Sequence, residues 1–200
     1  MTVGGTTAYT GVADLPPVVV RAVEMARSMG FDNSCVPGQG RLLAALVAGR
    51  PGARVGETGT GCGVGLAWMV EAAGEGTRFV SVEADPARSR AAADLFEGRP
   101  EVRLVEGDSR SIGEHGPFDL LVIDGGGSGK HPGDFILDPA ELLTEGGTVV
   151  IDDFSPRSTW PPQMDGVEDR ARLFWLEHPA LLSTEVPVWP GVVTIVGTRR

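Results

Sequence analysis

The sequence predicts an α/β protein with a mostly parallel sheet covered by helices on both faces, and three observations predict it. From residue 53 onward, short apolar runs alternate with longer stretches of helical spacing, the pitch of strand, crossover helix and strand. A glycine run, "ETGTGCGVG" at 57–65, follows the first of these strands, where an open parallel sheet faces its ligand. The last two apolar runs are joined by Pro190 and Gly191, as in a hairpin, so the sheet closes on an antiparallel edge.

The elements follow in order. After a Gly/Thr-rich start, residues 15–29 carry apolar residues at helical spacing, with Pro16 and Pro17 suited to a first turn and Gly30 to a stop. A second helix is expected over 39–48, where Leu42, Leu43, Leu46 and Val47 form one apolar stripe. Strands are expected at 53–57, 78–83, 102–106, 118–124 and 148–152. Between them, 64–73, 86–97 and 139–143 read as helices, and 108–115 offers a short one. A helix over 169–177 and strands at 182–188 and 192–198 complete the chain. Two hundred residues without a long linker predict one domain, with a helical extension over 1–50 and a sheet-bearing core over 51–200.

Composition narrows the function classes. The 42% hydrophobic and 22% charged content suits a soluble globular chain, and no apolar run approaches the roughly 20 residues that span a bilayer. The N-terminus lacks a basic region followed by an apolar one, so cytoplasmic residence is the default expectation. Cys35 and Cys62 form no CxxC pair and have no histidine beside them, which suggests reduced, partly buried thiols. Seventeen basic against 27 acidic residues give a net charge of -10, which disfavours a nucleic-acid partner.

The glycine spacing rejects two common nucleotide sites. A GxGxxG fingerprint fails because its third glycine falls on Val64 or Leu66, and no GK[ST] follows to make a phosphate loop. What remains is E-x-G-x-G-x-G, with Glu57 ahead of the glycines and Glu83 twenty positions after Gly63.

This set resembles class I S-adenosylmethionine-dependent methyltransferases, and the resemblance covers about residues 35–198. It implies a Rossmann-like methyltransferase fold with a mostly parallel seven-stranded sheet. In that family the first motif holds the methionine end of the cofactor, which implies Glu57, Gly59, Thr60, Gly61 and Gly63 here. Glu83, followed by Ala84 in "VSVEADP", matches the acid that accepts the ribose hydroxyls. "EGDS" places Asp108 and Ser109 where the family contacts adenine. Read alone, Glu83 is equally a solvated strand end and Asp108 a helix cap.

Within the class, the nearest look is to small cation-dependent O-methyltransferases of the catechol type. "PGQGRLLAALVAG" resembles the helix ahead of their first strand, "FDLLVIDGG" their fourth strand and "LLTEGGTVVIDDF" their fifth. The resemblance implies Asp124, Asp152 and Asp153 as ligands of Mg²⁺ or another divalent cation, with Asp124 also bordering the cofactor. Such a cation would orient a hydroxylated, aromatic small-molecule acceptor for direct O-methylation.

Two departures accompany it. Asp153 stands where the family has Asn, and Lys130 lies six residues after Asp124 across "DGGGSGK" rather than close behind it. Lys130 is therefore either a general base or a solvated loop lysine. Asp124 is either a ligand or a strand end lining the cofactor site, and Asp152 and Asp153 could instead face a helix N-terminus. His131 is the one histidine near the expected crevice and a second candidate base. Trp160 and Met164, in the proline-rich stretch 154–167, read as an acceptor lid or as ordinary loop packing. Phe174, Trp175 and Trp189 are expected in the core or a subunit contact. Bacterial relatives of this type are often dimers, so a homodimer through the N-terminal helices is a further expectation. Two other readings stay open: a metal-independent methyltransferase and a noncatalytic S-adenosylmethionine-binding protein.

Overall fold

Four of the helices open on a proline, and side-chain caps fix several of the starts. A computed structural model describes residues 2–131 and 133–200. Helices α1 (Pro17–Ser28) and α2 (Pro37–Ala48) precede β1 (Arg54–Thr58), α3 (Val64–Ala72), β2 (Arg78–Glu83) and α4 (Pro86–Leu95). Next come β3 (Val102–Glu106), a 3-10 segment Ser109–His115, β4 (Phe118–Ile123) and the single turn α5 (Pro139–Leu142). The chain ends with β5 (Leu143–Phe154), β6 (Gln163–Met164), β7 (Val167–Glu168), α6 (Arg170–Glu177), β8 (Leu181–Trp189) and β9 (Val192–Arg199). Proline suits the first helical position because its missing N–H would be unbonded there in any case. Asp85, Asp138 and Asp169 accept backbone N–H groups at the starts of α4, α5 and α6.

The sheet has seven strands in the order β3-β2-β1-β4-β5-β9-β8, parallel as far as β5. β9 then runs antiparallel to both β5 and β8, as the closing pair of apolar runs implied. Alternate residues of the strands face opposite sides. Val55, Phe79, Leu120, Val122 and Val150 pack with α1, α2 and α3, through Val19, Leu43, Leu66 and Met69. Val80, Val82, Leu121, Ile123 and Ile151 pack on the other side with Ile112, Leu142 and Trp175.

The main departure from the sequence reading is β5, which starts at Leu143 rather than 148. Its pairing with β4 shifts register between Phe118 and Leu120, so residues 144–147 bulge out of the ladder. Gly146 at φ +74° lets the chain make that detour. The hairpin β6–β7 has only two residues per strand, too few to leave a periodic signal. Among the described residues, no helix is long and apolar enough to cross a membrane.

Candidate functional site

The C-terminal ends of β2, β1, β4 and β5 lie side by side and carry Glu83, Glu57, Asp124 and Asp152. Between β1 and α3 the backbone turns through Gly59, Gly61 and Gly63, all at positive φ (+81°, +56° and +80°). A Cβ on Gly59 would stand 2.6 Å from the Gly125 nitrogen. The turns after β1 and β4 therefore touch backbone to backbone, and neither glycine tolerates a side chain. Gly59 and Thr60 both donate to the Val82 carbonyl, at 2.8 and 3.2 Å. Gly61 N donates to Glu83 Oε2 at 2.7 Å.

The acids are buried, which removes the solvated-strand-end readings. Glu57 is 2% exposed and accepts the Ser81 hydroxyl, which also lies 2.6 Å from Thr60 Oγ1. Burial pushes the Glu57 carboxyl up to about 7; the Ser81 hydrogen bond opposes the shift and the Glu83 charge adds to it. Glu83 is 3% exposed, and besides Gly61 it accepts Asp85 N at 2.9 Å and Arg88 Nη2 at 2.8 Å on Oε1. Burial holds Asp124 well above the usual carboxylate range, and the neighbouring Asp152 charge adds to it. The buried Cys35 thiol is raised by its desolvation and by Asp124, Asp152 and Glu57, which places it against the same acidic cluster.

A roof over the glycine turn comes from the N-terminal segment and was not legible in the sequence. Phe31, Asn33, Ser34 and Cys35 line a groove with Thr60, Cys62, Val64 and Asp124. Thr6 Oγ1 bonds the Phe31 carbonyl at 2.8 Å and Ser34 Oγ at 2.7 Å. Thr7 donates to Asp32 Oδ1 through both its N–H and its hydroxyl. Tyr9, 3% exposed, accepts the Trp68 indole N–H at 2.9 Å and anchors the segment on α3. The groove is nearly shut, with a volume of about 10 Å³. Phe31 covers Gly61, and the Arg88 guanidinium lies 5.0 Å from the Phe31 ring centroid.

Beside the groove lies a cleft of about 560 Å³ lined by Val3, Asn33, Asp124, Gly125, Gly126, Lys130, His131, Gly133, Asp134 and Asp153. Asn33 and Asp124 border both spaces. The loop carrying Lys130 is held in place rather than free. Asp134 accepts Gly127 N, Ser128 Oγ and Gly129 N at 3.0, 3.2 and 2.8 Å, the Trp175 indole donates to the Ser128 carbonyl, and Thr58 Oγ1 donates to the Gly126 carbonyl. Lys130 Nζ donates to the carbonyls of Asp152 and Asp153 and sits 5.0 Å from the Phe154 ring centroid. The solvated-lysine reading is thereby corrected. His131 is exposed at the cleft's rim.

Other expected residues are placed differently. Asp152 is fully buried and its Oδ1 accepts Asp153 N at 2.7 Å, while Asp153 has φ +64° within β5, where the pairing with β9 shifts register between Ile151 and Phe154. Asp124 and Asp152 lie side by side, but among the described residues no group of three or more His, Cys, Asp or Glu side chains is placed to hold a metal, so Asp153 does not complete a ligand set with them. Asp108 caps the 3-10 segment through Arg110 N, and its side chain is 64% exposed beside Arg110. Ser109 lies against Gly126, and Ala84 is exposed on the turn after β2. Trp160 is 55% exposed beside Arg157, lining a separate cavity with Glu185 and Pro187, and Met164 is 52% exposed. Neither lines the 560 Å³ cleft. Trp175 is fully buried, in line with the core reading, and both cysteines are free and, at 2% and 1% exposed, buried more completely than expected.

Comparison with known proteins agrees with this geometry. Residues 57–154 match a family model described as a methyltransferase domain. A protein of Mycobacteroides abscessus whose name places it among the O-methyltransferases is 28% identical over 172 residues, covering 78% of this chain and 77% of that one. A similarly named protein of Mycobacterium tuberculosis is 26% identical, covering 90% and 84%. Among solved structures, the Bacillus cereus O-methyltransferase in complex with SAH superposes with a TM-score of 0.75 at 17% identity, covering 98% and 96% of the two chains. TomG of Streptomyces achromogenes, an O-methyltransferase solved with SAM, gives 0.71 at 19%, covering 98% and 95%.

Proposed function

We propose that this chain, which carries a match to a methyltransferase domain over residues 57–154 and the fold of solved methyltransferases, is a class I methyltransferase that transfers a methyl group from S-adenosylmethionine to an oxygen of a small acceptor in the 560 Å³ cleft. One observation carries the reading: the buried carboxylates Glu57, Glu83 and Asp124 ring a glycine turn that opens toward that cleft. Such a ring repels a pyrophosphate and suits a ligand with a sulfonium and an ammonium group.

When bound, the cofactor supplies an electrophilic methyl group on sulfur. The chain supplies binding, orientation and exclusion of water. Gly59 and Gly61 let the ligand approach the backbone, and Glu57 and Asp124, whose carboxyls burial biases toward the neutral form, ionise against a positive charge bound at the methionine end. Glu83 accepts the ribose hydroxyls. A carboxylate has about four acceptor sites, and three are taken by Gly61 N, Asp85 N and Arg88, so a diol needs one donor to withdraw. Arg88 is the donor free to move, because Asp85 Oδ2 is already 3.6 Å from its Nη1. The cleft is of the size that takes a drug-sized molecule, about 300–1,000 Å³, and the chain's charge of -10 favours a small acceptor over nucleic acid. The described side chains complete no three-member ligand set, and no step is routed through a metal.

The test is incubation of the purified chain with S-adenosylmethionine and a panel of hydroxylated aromatics, with detection of S-adenosylhomocysteine and the methylated product. Acceptor-dependent product is expected, and it should be lost in Glu83→Ala. Product formation that Glu83→Ala leaves unchanged would contradict the assignment.

A further inference from the structure

Where the resemblance implies a divalent cation, the structure places a side-chain cation. Lys130 is the only lysine in the chain, and it is delivered to the end of β5 by a loop pinned through Asp134, Trp175 and Thr58. Its ammonium has three donors. Two of them meet the carbonyls of Asp152 and Asp153, and the Phe154 ring face lies beside the charge. Carbonyls and a ring stabilise an ammonium without neutralising it. Among the described residues no carboxylate forms an ion pair with it, and Lys130 lines the cleft with one N–H left for a ligand. Lys130 comes from the β4 side of the cleft and its carbonyl partners from β5, so its position is fixed by two elements.

We propose that the Lys130 ammonium takes the place of the divalent cation and that the methyl acceptor binds as an oxyanion, a phenolate or a carboxylate, against it. This rests on the methyl-transfer reading above. The acceptor loses its proton to solvent before it binds, so no protein base is needed. Its oxygen lone pair forms the bond to the methyl carbon while the carbon–sulfur bond breaks. That electron pair stays on sulfur, and the sulfonium becomes a neutral thioether. The ammonium orients the oxyanion and lowers the free energy of its ionised form in the cleft.

The probe is 4-nitrophenol, whose phenolate absorbs at longer wavelength than the phenol, titrated with the full chain in the presence of S-adenosylhomocysteine and EDTA. The expected result is a bound probe that ionises at lower pH than the free one, indifferent to EDTA or Mg²⁺. Affinity for the phenolate should fall about 10- to 100-fold in Lys130→Met, and Lys130→Arg should retain most of it. In turnover with S-adenosylmethionine, nitrophenols of graded acidity and benzoate form separate arms, and the arm methylated identifies which oxyanion is taken. A probe bound as the neutral phenol, unchanged phenolate affinity in Lys130→Met, or activity abolished by EDTA and restored by Mg²⁺ would overturn the proposal. Calorimetry of S-adenosylmethionine separates the two readings. If the wild-type chain binds the cofactor but phenolate binding ignores Lys130, this proposal alone fails; if it binds no cofactor, both fail.

Discussion

Gly59 and Glu57 show how single residues shape the cofactor side of the site. Gly59 combines positive φ with backbone contact to Gly125, whereas Gly98 has a similar φ of +78° and nothing within 4 Å of its Cβ position. Gly98→Ala should therefore cost only the strain of a left-handed residue, on the order of 1 kcal/mol. Gly59→Ala should cost clearly more and abolish cofactor binding, as denaturant unfolding and calorimetry would show; equal costs would remove the argument from close approach. Glu57 predicts a pH effect. Its folded value of about 7 exceeds the ordinary 4.5, so between those values the folded state holds the proton more tightly than the unfolded state. Stability is thus lost as pH rises from about 4.5 and the loss is complete above about 7. Glu57→Gln should raise the melting temperature at pH 8 relative to wild type and leave it nearly unchanged at pH 4, on a scale of up to about 3 kcal/mol. An equal difference at both pH values would show that ionisation of Glu57 is not the cause.

Loops and caps set the scale of elements. Asp134 holds three donors of the Lys130 loop, so Asp134→Ala should destabilise the chain by about 1–3 kcal/mol and speed amide exchange at 126–130 ahead of the rest of the molecule. Uniform exchange would place the constraint elsewhere. At the groove, Phe31→Ala removes the ring over Gly61 and should speed cofactor association in stopped flow, while an unchanged rate would show that Phe31 is no barrier. These elements also mark the limit of what the sequence shows. The strand and helix pattern was legible because its period is local, and Glu57, the glycines and Glu83 were legible because their spacing follows one strand-turn-helix unit. Asp134, Thr6 and Thr7 act across 5 to 28 residues through side-chain bonds that leave no periodic trace. Lys130 looked like a solvated residue for the same reason: glycines suggest slack, and the bonds that remove it are tertiary. Of the two readings of Trp160 and Met164, the lid finds no support in their placement, since apolar character beside a cleft does not decide which way a loop folds.

At the scale of the whole molecule, two apolar cores on either face of one sheet hold four strand ends side by side, and Glu83, Glu57, Asp124 and Asp152 stand at those ends. The parallel body of the sheet and its antiparallel edge follow from the alternation of elements and from the final hairpin, whereas the roof over the groove needs the N-terminal segment folded back onto α3. The N-terminal helices pack into the same core as β1, so groove and core should unfold together in a single calorimetric transition, raised by the cofactor. The most direct measurement is calorimetric titration of S-adenosylmethionine into the purified chain, once with EDTA and once with Mg²⁺. Saturable binding at one site per chain, of equal affinity in both and competed by S-adenosylhomocysteine, is the predicted result. A folded chain that takes up no S-adenosylmethionine, or does so only with Mg²⁺ present, would contradict it.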